Sequence, residues 1–383
     1  MKITIVLGAF FPVPPVMGGG VEKVWFALTP EFARRGHEVV LVSREMPELA
    51  REEMIDGVRH LRVRGFDTPR SLVWLKFLDL LYSLRTMSIL PNADVIVTNT
   101  FWLPILLRNS KRGHVYVHVA RYPKWQMRFY GRAARLQTPS HAVGRAVVSR
   151  APELQEKISV IPYPTPRRAS DAQIPSIPER EKIILFVGRV HPEKGVHVLV
   201  EAFAGGARTV FADWRLMIVG PVEENLGGGG ESYLISLKGS AENADGKVIF
   251  AGAVFDPAAL EQTFRRARLF VYPSLADRGE SFGLAPLEAM THRCAVLVSN
   301  LDCFRDFIHE RETGFIFDHH ARFASEALRE KIANVISDET LLDSVAEAGY
   351  RKSAEYSVAR VADQFLNDFS SLISNSDVAR TNR

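Results

Sequence analysis

Short runs rich in Val and Ile alternate twice along this chain with longer segments of helical period, and a proline-rich stretch separates the two series. Strands that are apolar on both faces belong to parallel sheets, because each βαβ crossover lays a helix against the sheet and covers it. The first series places strands at 3–7, 39–43, 58–63, 95–98 and 115–119. The second places them at 183–187, 215–219, 248–251, 269–272 and 295–298. At 383 residues the chain is too long for one ordinary core,. The expected fold class is α/β: two Rossmann-like, doubly wound parallel-sheet domains facing a central cleft. Their expected extents are 1–166 and 180–355, with 356–383 a helix returning towards the first domain. Ile161-Pro162-Tyr163-Pro164-Thr165-Pro166 and the loose segment after it read as an extended linker,.

Charge is distributed unevenly. Residues 1–150 hold 22 Lys and Arg against 11 Asp and Glu, whereas the remainder holds 26 against 33. Residues 101–150 alone carry ten basic side chains and no acidic one. Such a face attracts phosphates, of anionic lipid headgroups or of nucleic acid, and Arg121, Lys124 and Arg128 are its candidate membrane- or acceptor-facing residues. A solvated basic surface is the alternative. In segment 71–90, Lys76, Asp79, Ser83 and Thr86 recur at helical spacing and leave the apolar residues on the other faces, the pattern of an amphipathic helix,. Lys76, Asp79 and Arg85 interrupt it too often for a membrane span,. Cys294 and Cys303 are the only cysteines, so no disulfide framework is expected and the cytoplasm is the default compartment,. The opening MKITIVLGAFFPVPP reads as a buried first strand rather than a leader, since prolines and Gly18-Gly19-Gly20 follow at once,.

In parallel sheets ligands gather at the carboxyl ends of the strands, where helix N-termini offer unpaired N–H groups. After the first strand of the second series comes Gly188-Arg189-Val190-His191-Pro192-Glu193-Lys194-Gly195. Two cations five residues apart on a glycine-flanked loop suit the two phosphates of a nucleoside diphosphate, Arg189 as a planar fork and Lys194 as a point charge. A solvated loop is the alternative. Further on, Glu280-Ser281-Phe282-Gly283-Leu284-Ala285-Pro286-Leu287-Glu288 runs from a loop into a helix whose first N–H groups can face a phosphate or sugar,. Glu288, two turns into that run, can accept both hydroxyls of a ribose if its helix borders the ligand. Gly18-Gly19-Gly20 is not a GxGxxG fingerprint, and a mobile loop fits it better than a dinucleotide site,.

Taken in order, Gly18-Gly19-Gly20 with Arg35-Gly36-His37-Glu38-Val39, His118 after a strand, the GRVHPEKG loop, ESFGLAPLEAM and Glu312-Thr313-Gly314-Phe315 resemble the retaining glycosyltransferases of family 4, over nearly the whole chain. The resemblance implies the GT-B architecture, with the donor held by the second domain and the acceptor by the first. It implies that Arg189 and Lys194 neutralise the leaving diphosphate, that Gly188 belongs to the same loop, and that Glu280 meets the donor sugar. By the same resemblance Glu288 holds the ribose, the amides around Ser281, Phe282, Gly283 and Leu284 assist, Gly19 and Gly20 approach the phosphates, and His118 assists near the reacting carbon with its carbonyl or ring, a strand-end core histidine being the alternative. Thr291-His292-Arg293-Cys294 and Cys303-Phe304-Arg305-Asp306-Phe307 depart from the family's small-residue turns.

The expected activity is hexosyl transfer from a GDP- or UDP-sugar to an acceptor hydroxyl, with retention, in polysaccharide or glycolipid assembly. No cofactor and no metal are expected, because Arg189 and Lys194 supply the charge; Asp318, His319 and His320 read as surface residues. Partners are the nucleotide sugar, a lipid-linked or saccharide acceptor and an anionic membrane met peripherally, without nucleic acid. A nucleotide-sugar epimerase or hydrolase, and a noncatalytic polyanion binder, are the rivals.

Overall fold

The computed structural model describes residues 1–69, 71–107, 112–165 and 174–381, with side chains described as far as Ser374. The chain divides into two compact units, Met1–Pro166 with Tyr356–Arg383, and Arg167–Glu355. Residues 166–173 of the expected linker fall outside the described residues. Its end does not: Ile174 and Arg180 are buried, and the Arg180 guanidinium donates to the carbonyls of Pro175, Ala267 and His292.

Among the described residues the first unit is built on eight strands: β1 (Lys2–Val6), β2 (Glu38–Arg44), β3 (Glu52–Ile55), β4 (Val58–Val63), β5 (Val95–Thr98), β6 (His114–His118), β7 (Arg135–Thr138) and β8 (Ile158–Val160). Their order is β3-β4-β2-β1-β5-β6-β7-β8. All pairings are parallel except β3 with β4. The continuous apolar runs gave β1, β2, β4, β5 and β6. β3 was not expected, being Glu-Glu-Met-Ile, but Asp56-Gly57 joins it to β4 with both residues at positive φ, the geometry a two-residue hairpin needs,. β7 and β8 are too short and mixed to show a period.

Helices α1 (Gly20–Arg34), α2 (Leu72–Ile89), α3 (Leu103–Leu106) and α4 (His141–Arg150) complete this part of the unit. The α2 helix is oriented contrary to the usual sense of amphipathicity. Its buried residues are Asp79, Tyr82, Ser83 and Thr86, whereas Leu72, Val73, Trp74, Phe77, Leu84 and Ile89 are exposed. The polar stripe faces inward because it has work there: the Asp79 carboxylate accepts from the backbone N–H groups of Phe101 and Trp102 at 3.0 and 3.1 Å, capping the turn after β5.

The second unit contains β9 (Glu181–Val187), β10 (Arg215–Val219), β11 (Val248–Gly252), β12 (Ala267–Tyr272), β13 (Ala295–Ser299) and β14 (Phe315–Phe317). They form an all-parallel sheet in the order β11-β10-β9-β12-β13-β14. Its helices are α5 (Val196–Ala204), α6 (Glu231–Ser240), α7 (Pro257–Arg266), α8 (Leu284–Thr291), α9 (Ala324–Ser337) and α10 (Glu339–Ser353). Strand order reverses between β9 and β12, and it is at the carboxyl ends flanking such a reversal that open α/β sheets bind ligands.

The last helix, α11 (Val358–Thr381), belongs to the first unit and packs on α1. Phe365 meets Trp25 with ring centroids 5.2 Å apart, and Phe369 meets Phe32 at 6.1 Å. Asp368 fixes the register, accepting from the Tyr116 hydroxyl at 2.7 Å and pairing with Arg135 at 3.1 Å.

Candidate active site

The two loops at the reversal point are tied to each other by backbone. The Glu193 carbonyl accepts from the Leu275 N–H at 2.9 Å and from the Ser274 hydroxyl at 3.3 Å. Gly195, in the left-handed region at φ 67°, lies so close to the Pro273 carbonyl that a Cβ would collide with it. No other residue satisfies both conditions.

That closure places Lys194 against Glu280. The Lys194 ammonium donates to the Glu280 carboxylate at 2.6 Å, and both side chains are largely buried. The same carboxylate oxygen accepts from the hydroxyls of Tyr272 and Ser274, each at 3.3 Å. Burial alone would lower the Lys194 pKa, but Tyr272 and Glu280 outweigh it and hold the ammonium well above its usual range. Lys194 is therefore a permanent cation at neutral pH. Tyr272 is held rigid by stacking on Phe186, with centroids 5.6 Å apart and planes 7° apart.

Arg189 leaves the end of β9 and is half-exposed. Its guanidinium donates to the Gly227 carbonyl at 2.7 Å and to the Glu193 carboxylate at 2.8 Å. It is thus clamped between its own loop and the glycine-rich turn before α6, with Gly188 preceding it. Beyond Glu280, Ser281 is half-buried and Phe282 is turned into the core, its ring 5.3 Å from that of Phe307, so only its backbone faces the loop. Gly283 caps α8 at φ 98°, and a Cβ there would strike the Phe304 ring. Leu284 opens the helix, and Glu288 lies one turn further on, half-buried.

In the first unit, His118 ends β6 and is buried. Its Nδ1 is hydrogen-bonded to Gln137, its Nε2 lies 3.3 Å from the Tyr163 hydroxyl, and its ring packs edge-on against Trp25. Burial lowers its pKa to about 4 against the opposing effect of Gln137. As it stands the ring is a neutral core histidine with both nitrogens engaged, so the expected assisting role is not one the ring can fill without rearrangement. Gly19 and Gly20 cap α1. A Cβ on Gly19 would collide with the Glu22 carboxylate, so the first turn of α1 is already met by an acidic group of its own chain. Glu22 is buried, which raises its pKa against the lowering effects of its own N–H and Arg121.

Arg121, Lys124 and Arg128 are exposed. Beside them, the Lys76 ammonium lies 3.9 Å from the Phe101 ring centroid and 4.1 Å from that of Trp125, joining α2 to segment 125–130. Among the described residues, no helix is long and apolar enough to cross a membrane.

The model of the family described as Glycosyl transferases group 1 matches residues 167–352, and that of Glycosyltransferase Family 4 matches residues 18–165. The chain belongs to glycosyltransferase family 4. A phosphatidyl-myo-inositol mannosyltransferase of Mycobacterium tuberculosis is 30% identical to this family-4 chain over 200 residues, 52% of the chain and 49% of that protein. The lipopolysaccharide core biosynthesis mannosyltransferase LpcC of Rhizobium leguminosarum is 29% identical over 225 residues, 57% of the chain and 59% of that protein. The chain thus spans about half the length of the curated relatives it matches. A sucrose-phosphate synthase from Thermosynechococcus elongatus superposes with a TM-score of 0.79 at 19% identity, over 98% of this chain and 100% of its own. The fold is GT-B.

Both departures from the family's usual turns have a structural account in this family-4 chain. Arg293 occupies a left-handed position after α8, at φ 58°, where glycine is the usual choice; its guanidinium pairs with Glu347 and lies 5.6 Å from the Tyr350 ring centroid,. Phe304 and Phe307 fill the space beside Gly283 and brace the start of α8. Sequence reasoning missed Tyr272 and Ser274 as partners of Glu280, and Glu193 as the partner of Arg189. Tyr272-Pro273-Ser274 was visible as a strand end, but nothing in the spacing says that its hydroxyls turn towards Glu280. It also read His319 as a surface residue, whereas the end of β14 turns it inward and it is buried, and it missed that Asp277, His319 and His320 converge.

Proposed function

We propose that this family-4 chain transfers a hexose-type sugar from a nucleoside diphosphate sugar to an acceptor hydroxyl with retention, in glycolipid or polysaccharide assembly. The observation that carries the reading is the Lys194–Glu280 pair at the carboxyl ends of β9 and β12. As the sugar–phosphate bond breaks, negative charge grows on the diphosphate. A fixed, partly desolvated ammonium stabilises that charge more than it stabilises the intact donor. Lys194 fills this role, with Arg189 adding a second cation once the diphosphate displaces its contact to Glu193. Through its other carboxylate oxygen Glu280 accepts hydrogen bonds from the sugar hydroxyls, Glu288 holds the ribose, and the N–H groups at the start of α8 meet phosphate or sugar oxygens. These cations suffice for the diphosphate without a divalent ion.

Retention follows from acceptor attack on the face the diphosphate leaves, within a short-lived ion pair, the leaving phosphate taking the acceptor proton. His118 acts in this scheme by holding the end of β6. The two relatives named are both mannosyltransferases, so mannose is the first sugar to test. The test is product analysis by NMR with GDP- and UDP-sugars. Transfer with the donor's anomeric configuration is expected with a polyprenyl-linked or glycolipid acceptor present; sugar release or rearrangement as the sole product with donor alone points to a hydrolase or epimerase instead.

Peripheral attachment to an anionic membrane completes the reading. It is supported by the outward apolar face of α2, with Trp74 58% and Phe77 47% exposed, and by Trp125, 57% exposed, beside it. Aromatic side chains flanked by Arg121, Lys124 and Arg128 suit the interface between acyl chains and anionic headgroups.

A further inference from the structure

The geometry points to a transition-metal site formed by Asp277, His319 and His320 in the second unit. Asp277 lies on the loop leaving β12, three residues before Glu280, and the histidines follow β14 directly. The Asp277 carboxylate oxygen Oδ1 stands 3.1 Å from His319 Nε2 and 3.3 Å from His320 Nε2. One ligand atom from each of the three residues lies within 4.8 Å of the other two. Four ligands bound tetrahedrally at about 2.0–2.1 Å have edges of roughly 3.3–3.4 Å, so two of the three edges are already set within a few tenths of an ångström. Two imidazole nitrogens and one carboxylate select Zn²⁺ or its neighbours over Mg²⁺ or Ca²⁺, which prefer oxygen. The three side chains leave the fourth position to water.

The arrangement is asymmetric in a way that suits a site rather than a chance surface cluster. The His319 side chain is 2% exposed, and its Nε2 faces the Asp277 carboxylate. His320 and Asp277 are exposed and leave an entry path. The His319 and His320 rings lie 4.0 Å apart, both directed to the same carboxylate oxygen. An ion held here joins the end of β14 to the loop that carries Ser274 and Glu280. It therefore restrains that loop without touching the groups assigned to the donor. This goes beyond the transfer reading and does not rest on it.

The test is zinc binding by metal-stripped full-length protein, followed by competition with a chromophoric chelator and by thermal unfolding. One equivalent should bind with micromolar or tighter affinity and raise the melting temperature, and Co²⁺ in its place should give the visible absorption of a four-coordinate site. His320→Ala, at an exposed position that leaves the fold intact, should weaken zinc by more than about tenfold and abolish the thermal shift, and Asp277→Asn should do the same. Absence of zinc binding at millimolar concentration, or affinity unchanged in His320→Ala and Asp277→Asn, overturns the proposal. Nucleotide binding, measured separately on the same stripped protein, reports on the transfer reading alone.

Discussion

Lys194 and Glu280 are 86 residues apart in the chain and 2.6 Å apart in space, on the loops that leave β9 and β12, where the strand order of the second unit reverses. Breaking a buried pair from one side leaves the other charge uncompensated. Lys194→Met should therefore destabilise the protein by about 3 kcal/mol, and Lys194→Met combined with Glu280→Leu should cost clearly less than the two single changes added together. Urea unfolding of the four proteins measures this. Additive losses would mean the pair carries no coupling.

His60, His118 and His292 make the fold sensitive to acid. Burial lowers His60, His118 and His292 from 6.5 to about 4. A base whose pKa is depressed by folding contributes its full share of stability above pH 6.5 and loses it as the pH falls towards 4. For His118 that share is on the order of 3 kcal/mol. Asp79 acts in the opposite sense: burial raises it from 3.8 to about 6, so protonation on acidification relieves the folded state. Glu22, which burial also raises, acts in the same sense as Asp79; three histidines against these two carboxyl groups predict a net loss between pH 6.5 and 4, and His118→Asn should reduce it. A denaturation midpoint that does not move across this range contradicts the assignment.

Gly283 combines a positive φ with contact to Phe304. Gly283→Ala should cost about 2–4 kcal/mol and displace the start of α8, weakening nucleotide binding as well. Gly239, which has open space around its Cβ position, is the control: Gly239→Ala should be neutral or stabilising in a melting experiment,.

The outward face of α2 makes vesicle binding partly apolar. Sedimentation with anionic vesicles should fall as salt rises, through Arg121, Lys124 and Arg128, while Trp74→Ser with Phe77→Ser should weaken binding by about tenfold or more at fixed salt and leave stability unchanged. No binding at low ionic strength, or an unaffected double variant, counts against the membrane reading.

Particular residues explain which of these features could be read from the sequence. β9 and β12 were legible because a strand covered on both faces is continuously apolar, and the ligand loops follow from the strand ends. Gly195 and Gly283 were legible as glycines, but their reasons, the Pro273 carbonyl and the Phe304 ring, are contacts with distant parts of the chain. The helical period of α2 was legible while its orientation was not. Asp79, Ser83 and Thr86 look like a solvated stripe, yet all three are buried, and for Asp79 the reason is the turn at Phe101 and Trp102, whose N–H groups it accepts. Asp277 and His319 are 42 residues apart and meet only because their loops leave strands of the same sheet.

Isothermal titration of GDP and UDP into the wild-type protein and Lys194→Ala, each checked for folding, tests the central claim most directly. Sub-millimolar binding of at least one nucleoside diphosphate by the wild type, reduced about 100-fold or more when the ammonium is removed, is the predicted result. Equal affinity in the two proteins, or no binding of either nucleotide to the wild type at millimolar concentration, would contradict the account.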